Sequence, residues 1–154
     1  MKRLSIIASA LLVLLSLAGC KTSGMAMTSS GQLLKLNIKH PNDLPEQGED
    51  SLDVSLSNLG VRSVDNVLLD IELPPQLAVL GNTYGTGINA MHDPGSNLYH
   101  YTIGKVQPAE DTTIRYRVRT SWGSAREASV KATAWQRDLP GDKLIETAVI
   151  KLRQ

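Results

Sequence analysis

The side chains able to do chemistry are few and scattered. The 154-residue chain holds three histidines, His40, His92 and His100, and a single cysteine, Cys20. His92 and Asp93, with His100 following, supply two imidazoles and a carboxylate, the donor types that hold zinc or copper. A metal site on these residues is one expectation; solvated histidines on a loop and a strand are the other. Glu110 and Asp111 are adjacent carboxylates in a polar turn, where both face water rather than act as an acid and base pair. No nucleophile elbow, phosphate loop or histidine pair around a glutamate occurs. The reading is therefore a protein that is not an enzyme and needs no cofactor. Three further groups suit binding. Arg115, Arg117 and Arg119 alternate, which places three guanidinium groups about 7 Å apart on one face of a strand. There they would hold an anionic sugar, a lipid headgroup or an acidic partner, or pair with carboxylates of a neighbouring strand. Trp122 in a turn and Trp135 on an outward strand face either anchor a partner or cover a sheet edge.

The elements that must position these residues are strands. Leu52, Val54 and Leu56 alternate with Asp53, Ser55 and Ser57, the period of a strand with one wet face. Asn58-Leu59-Gly60 breaks the run with residues that accept left-handed backbone angles. Val67, Leu69, Ile71 and Leu73 then alternate with Asp70 and Glu72 until Pro74-Pro75, neither of which can donate to a ladder. Two strands, a polar turn and a double-proline stop make an antiparallel all-β unit.

The same period recurs along the chain. Leu34, Leu36 and Ile38 form a first strand that stops at His40-Pro41, and residues 42–50 read as a polar loop. Leu77, Val79 and Leu80 suggest a short edge strand, and residues 81–97 the longest loop. Tyr99, Tyr101 and Ile103 define a strand, as do Ile114, Tyr116 and Val118, then Ala128, Val130, Ala132 and Ala134. A final strand runs from Leu144 to Leu152; both of its parities carry apolar residues, so its inward face stays open. Either the Leu77–Leu80 segment or this last strand could take up a partner's strand. Seven or eight antiparallel strands at this spacing indicate an all-β fold, a β-sandwich.

The placed strands carry a resemblance. Asn58 with Gly60, the run from Asp70 to Pro74, and Ile103-Gly104-Lys105-Val106-Gln107-Pro108 resemble the immunoglobulin-like domain of unknown function number eleven, and the related bacterial cell-adhesion domain. The resemblance runs from Leu33 to Leu152 and implies an immunoglobulin-like β-sandwich with no catalytic residues to transfer. The chain departs from the pattern at Ala109-Glu110, where the family places glycine after the proline. In an immunoglobulin-like sheet the third strand lies beside the sixth, which would set Asp70 and Glu72 against the arginine row.

The amino-terminal region has a different character. Lys2 and Arg3 precede an apolar run from Leu4 to Leu17, too short to cross about 30 Å of hydrocarbon but shaped like a secretory signal. It ends Leu17-Ala18-Gly19-Cys20, which resembles the lipobox of bacterial lipoproteins; the resemblance implies that Cys20 is acylated and becomes the mature amino terminus. A lone cysteine also rules out a disulfide framework in an exported protein. Lys21 stands where an aspartate retains Gram-negative lipoproteins at the inner membrane, so the resemblance implies the outer membrane. Residues 1–19 are thus read as the signal peptide, 20–32 as the lipidated cysteine and a flexible tether reaching about 20 Å, and 33–154 as the sandwich. Without the signal the chain carries 14 basic and 15 acidic side chains, which offers nucleic acid no general attraction. The expectation is a lipoprotein of the cell envelope, membrane-bound through its lipid and touching an envelope protein or polysaccharide; a periplasmic metal-binding protein using His92, Asp93 and His100 is the alternative.

Overall fold

The computed structural model describes residues 25–27, by backbone alone, and residues 33–121 and 126–153. The segment read as a signal peptide, Cys20, most of the segment read as a tether, and Trp122 lie outside the described residues. Among the described residues eleven strands follow one another without a helix: β1 (Met25–Met27), β2 (Leu33–Lys39), β3 (Asp43–Pro45), β4 (Glu49–Asn58), β5 (Val64–Glu72), β6 (Leu77–Thr83), β7 (Asn89–His92), β8 (Leu98–Val106), β9 (Asp111–Thr120), β10 (Glu127–Gln136) and β11 (Leu139–Arg153). They form a five-stranded sheet in the order β1-β2-β4-β9-β6 and a six-stranded sheet in the order β3-β11-β10-β5-β8-β7. Every pairing is antiparallel except the short match of β3 to the end of β11. Eight strands are long, as the periodicity predicts; β1, β3 and β7 are additions of three or four residues each.

Alternation is what builds the two layers. Leu36, Leu52, Val54, Leu56, Ile114, Tyr116 and Val118 of the five-stranded sheet are fully buried, and they face Val67, Ile71, Val130, Ala132 and Ile150 of the other. Each valine, leucine or isoleucine among them contributes about 1.5 to 3 kcal/mol by leaving water. The last strand resolves in the same way: Leu144, Ala148 and Ile150 turn inward, while Ile145 and Val149 remain about half exposed.

Three differences from the sequence reading have physical causes. The two runs flanking Asn58 do not pair with each other, since β4 lies in one sheet and β5 in the other. Each needs its apolar face covered, and facing each other across the core covers both. Residues 42–50 and 81–97 are not only loop; they hold β3 and β7, and β6 extends to Thr83. These short strands lack a periodic apolar set because they lie at sheet edges. Met25–Met27, within the segment read as a tether, pairs with Leu33–Lys35 of β2. Backbone hydrogen bonding asks nothing of side-chain type, so a polar, aperiodic segment can still extend a sheet.

Asn58 carries the chain from one sheet to the other. Its side-chain amide donates to the carbonyls of Arg62 and Val106 at 2.7 and 3.1 Å, and its Oδ1 accepts from the Gly60 N–H at 2.9 Å. Its backbone N–H donates to the Glu110 carbonyl, and its own carbonyl accepts from the Ala109 N–H. A fully buried asparagine is tolerable only because these groups are all paired. The same contacts hold the 107–110 turn, where Ala109 sits at φ 60°. That is the left-handed region, where a Cβ crowds the backbone and glycine does not, so alanine carries strain there. We therefore expect Ala109→Gly to raise stability by about 0.5 to 1 kcal/mol, the relief of strain exceeding the added freedom of the unfolded chain. Urea unfolding would show a higher midpoint at unchanged slope; a lower midpoint contradicts it.

Candidate functional site

The outer face of the five-stranded sheet carries the arginine row. In β9 the residues Ile114, Tyr116 and Val118 are buried, so Arg115, Arg117 and Arg119 must point to solvent. Their cross-strand partners on β4 are Asp53, Ser51 and Glu49 in that order. Arg115 donates from Nε and Nη2 to the two carboxylate oxygens of Asp53 at 2.7 and 2.8 Å, a bidentate pair. Arg119 is held by the Glu49 carboxylate. Arg117 faces a serine and makes no ion pair with any described residue. On its other side Arg117 is in register with Gly81 of β6. Ser51, Gly81, Asn82, Thr83, Arg115 and Arg117 line a groove of about 280 Å³ there.

The structural half of the sequence reading holds, with different carboxylates. Asp70 and Glu72 are not beside the arginines: β5 lies between β10 and β8 in the opposite sheet, whereas β9 lies between β4 and β6. Glu72 is in register with Lys131 and Leu98, and Asp70 accepts a 2.7 Å hydrogen bond from Nδ1 of His100. Asp53 is the most enclosed carboxylate of the arginine face, with its side chain 17% exposed. The Arg115 hydrogen bonds hold it below the usual aspartate range, outweighing the burial that pushes it up, and Lys39 acts in the same direction as Arg115.

The other expected residues lie elsewhere. His92 and His100 do not converge: in the β7–β8 ladder His92 is in register with Tyr99 and Met91 with His100. Neighbouring positions along a strand point to opposite faces, so the two imidazoles lie on opposite sides of the ribbon. His92 stacks on the Tyr99 ring at 4.0 Å, and its Nε2 is 2.8 Å from the Ser96 carbonyl. Among the described residues no three histidine, cysteine, aspartate or glutamate side chains group to hold a metal, which corrects the expectation for His92, Asp93 and His100. Glu110 and Asp111 are engaged locally. Glu110 accepts from the Gln107 N–H at 2.6 Å and Asp111 from the Ser57 hydroxyl at 3.1 Å. Trp135 is half-buried on the outer face of the six-stranded sheet, in register with Leu68, and the Lys143 ammonium stands 5.4 Å from its ring centroid.

One cluster escapes sequence reasoning. The four tyrosines of the chain cluster on the side where β6 and β7 are the edges: Tyr101 and Tyr116 are buried between the sheets, Tyr99 is partly buried and Tyr84 stands exposed at the rim. The Tyr101 and Tyr116 hydroxyls share a 2.6 Å hydrogen bond, Asn82 donates to Tyr101 at 3.0 Å, and Tyr84 and Tyr99 pack edge-on against Tyr101 and Tyr116. Burial pushes the phenols of Tyr99, Tyr101 and Tyr116 up, Tyr116 the most, so all three stay neutral. Alternation marks Tyr99, Tyr101 and Tyr116 as inward, but nothing in it says that β8 and β9, in different sheets, face each other here.

No family model matches the chain, and no curated protein matches it. Solved structures do match in fold. The RrgA Jo.In complex contains a chain with TM-score 0.62 at 12% identity, covering 84% of this chain and 82% of that one. The CARDB domain of the PF1109 protein from Pyrococcus furiosus, solved in complex with di-metal ions, matches with TM-score 0.52 at 13% identity over 89% of this chain and 96% of that one. A cohesin module of a family 33 glycoside hydrolase from Clostridium perfringens matches with TM-score 0.50 at 10% identity over 86% and 98%. These likenesses establish the immunoglobulin-like β-sandwich.

The Asp53–Arg115 pair makes a prediction about acid stability. A carboxylate whose folded pKa lies below its unfolded value stabilises fully above the unfolded value, and loses that contribution as pH falls through the folded one. Asp53→Asn should therefore lower the urea midpoint at neutral pH, and its deficit relative to the native protein should shrink as pH falls below about 4. A deficit that stays constant down to about pH 2 would show that the charge of Asp53 contributes nothing to stability.

Proposed function

We propose that this chain is a lipid-anchored, non-catalytic binding module of the cell envelope that meets its partner with the outer face of the five-stranded sheet. The observation that carries this reading is the arginine row, in which Arg115 and Arg119 have carboxylate partners and Arg117 has none among the described residues. A guanidinium left unneutralised on a rigid strand, beside a groove, is a preorganised receptor for an anion, because its neighbours are already fixed. The rest of the reading draws on resemblance: the lipobox-like Leu17-Cys20 supports acylation and a membrane address, and the segments around Asn58, Asp70 and Ile103 support kinship with the domain of unknown function number eleven. An envelope protein or polysaccharide is the partner class, and the outer membrane is the proposed site.

Two measurements test the proposal. Cells fed an alkynyl palmitate should label the native protein and not Cys20→Ser, and the variant should leave the membrane fraction; an unmodified Cys20 thiol at the mature terminus defeats the anchor. Photocrosslinking from the arginine face in intact envelopes should capture a neighbour with the native protein and lose it with Arg117→Glu. The melting temperature should barely change, since an exposed substitution of this kind alters stability by about 0.5 kcal/mol or less. Capture undiminished by Arg117→Glu would remove this face from the proposal.

A further inference from the structure

We infer that the free edge of β6 takes up an extended acidic peptide segment of a partner protein, with one carboxylate reaching across Gly81 to Arg117. The inference rests on the binding-module reading and specifies the chemistry of the partner. Four observations lead to it. β6 is the last strand of its sheet and bonds to β9 alone, so one side of its backbone is unpaired among the described residues. Its seven residues, Leu77 to Thr83, include neither a charge nor a proline, two of the devices that discourage strand addition. A bulge interrupts its register between Val79 and Gly81, and beyond the bulge Gly81, Asn82 and Thr83 are all exposed. Finally, a Cβ built on Gly81 would meet nothing within 4 Å, so packing does not demand glycine there and its bareness leaves a notch beside Arg117.

The geometry turns these observations into a recognition rule. Ser51, Arg117 and Gly81 lie in one row across β4, β9 and β6. A strand added to β6 would lie about 4.8 Å further out, hence about 10 Å from β9. Arginine and glutamate are long enough to meet over that gap, provided the residue between them has no side chain. Their meeting would complete the row, giving three arginines and three carboxylates where β4 supplies only Glu49 and Asp53. Because Arg115 and Arg119 are already neutralised by Asp53 and Glu49, the charge left over in the row is that of Arg117, which favours an acidic segment over a basic one. A polypeptide matches the edge better than a polysaccharide does, because β6 offers alternating N–H and C=O groups at the spacing of another strand.

The probe is the peptide acetyl-Thr-Val-Thr-Glu-Thr-Val-Thr-amide, titrated into the full-length, isotope-labelled protein. Amide resonances of Leu77–Thr83 should move, and affinity should fall about tenfold or more when the peptide's glutamate is replaced by glutamine or when the protein carries Arg117→Gln. Gly81→Val should weaken binding about as much as Arg117→Gln does, while leaving the melting temperature unchanged or higher, since valine suits a strand and the space is open. Three results would overturn the inference: equal binding of both peptides, shifts confined to β7 or β11, or no shift at millimolar peptide. Trigalacturonate moving the Arg117 resonances while the peptide moves none would also overturn it, in favour of an acidic polysaccharide. An envelope neighbour captured by the native protein and equally by Gly81→Val would defeat the edge but leave the binding module standing.

Discussion

The period-two alternation of β4 and β9 is the constraint on which the arrangement depends. Each strand buries one set of side chains completely, and the pleat then leaves the other set no choice but solvent. Three guanidinium groups spaced about 7 Å apart would repel one another if left alone. β4 answers with Glu49 and Asp53 opposite the outer and inner arginines, and with Ser51 opposite the middle one. A one-residue slip between these strands would move every leucine and valine into water, so the register that seals the core also sets the charge pattern on the face. The vacancy at Arg117 is thus a consequence of core packing, expressed on the opposite side of the sheet.

The two sides of the sandwich are finished differently. Where β2 and β11 approach, β3 closes part of the opening by pairing in parallel with the last residues of β11, and Arg153 reaches the Asp43 carboxylate at 2.6 Å. Where β6 and β7 lie, Tyr101 and Tyr116 fill the gap between the sheets, with Tyr99 beside them and the exposed Tyr84 and His92 packed at the rim. Two phenol hydroxyls buried together satisfy each other, which apolar rings of the same size could not do for a lone hydroxyl. This aromatic packing keeps β6 and the groove on a firm base, and firmness is what a weak, extended ligand requires of its receptor.

The solved structures that share the fold do not by themselves assign this chain a partner. At identities of 10 to 13% these likenesses carry the fold alone. Among the described residues, the arginine row leaves Arg117 without a carboxylate beside β6, a strand paired on one side only. The value of that arginine lies in geometry, because an exposed ion pair alone contributes little.

The sequence by itself determined the strand periods, the all-β class, the inward and outward sets on most strands, and the presence of turns after Asn58 and at residues 108–111, though not the buried amide of Asn58 or the left-handed φ of Ala109. These are local properties: alternation, hydrogen-bonding capacity and backbone freedom are written in consecutive residues. It also marked the arginines as outward. What only the tertiary structure decided was which strands meet. Asp70 and Glu72 offered the right charges for the arginine row, yet Asp53 and Glu49 are the neighbours, because strand order depends on how two apolar faces cover each other across the core. The opposite orientations of His92 and His100, the convergence of four tyrosines and the notch at Gly81 beside Arg117 arise in the same way. Each is a relation between strands distant in sequence, and a period of two records which way a side chain points but not what it points at.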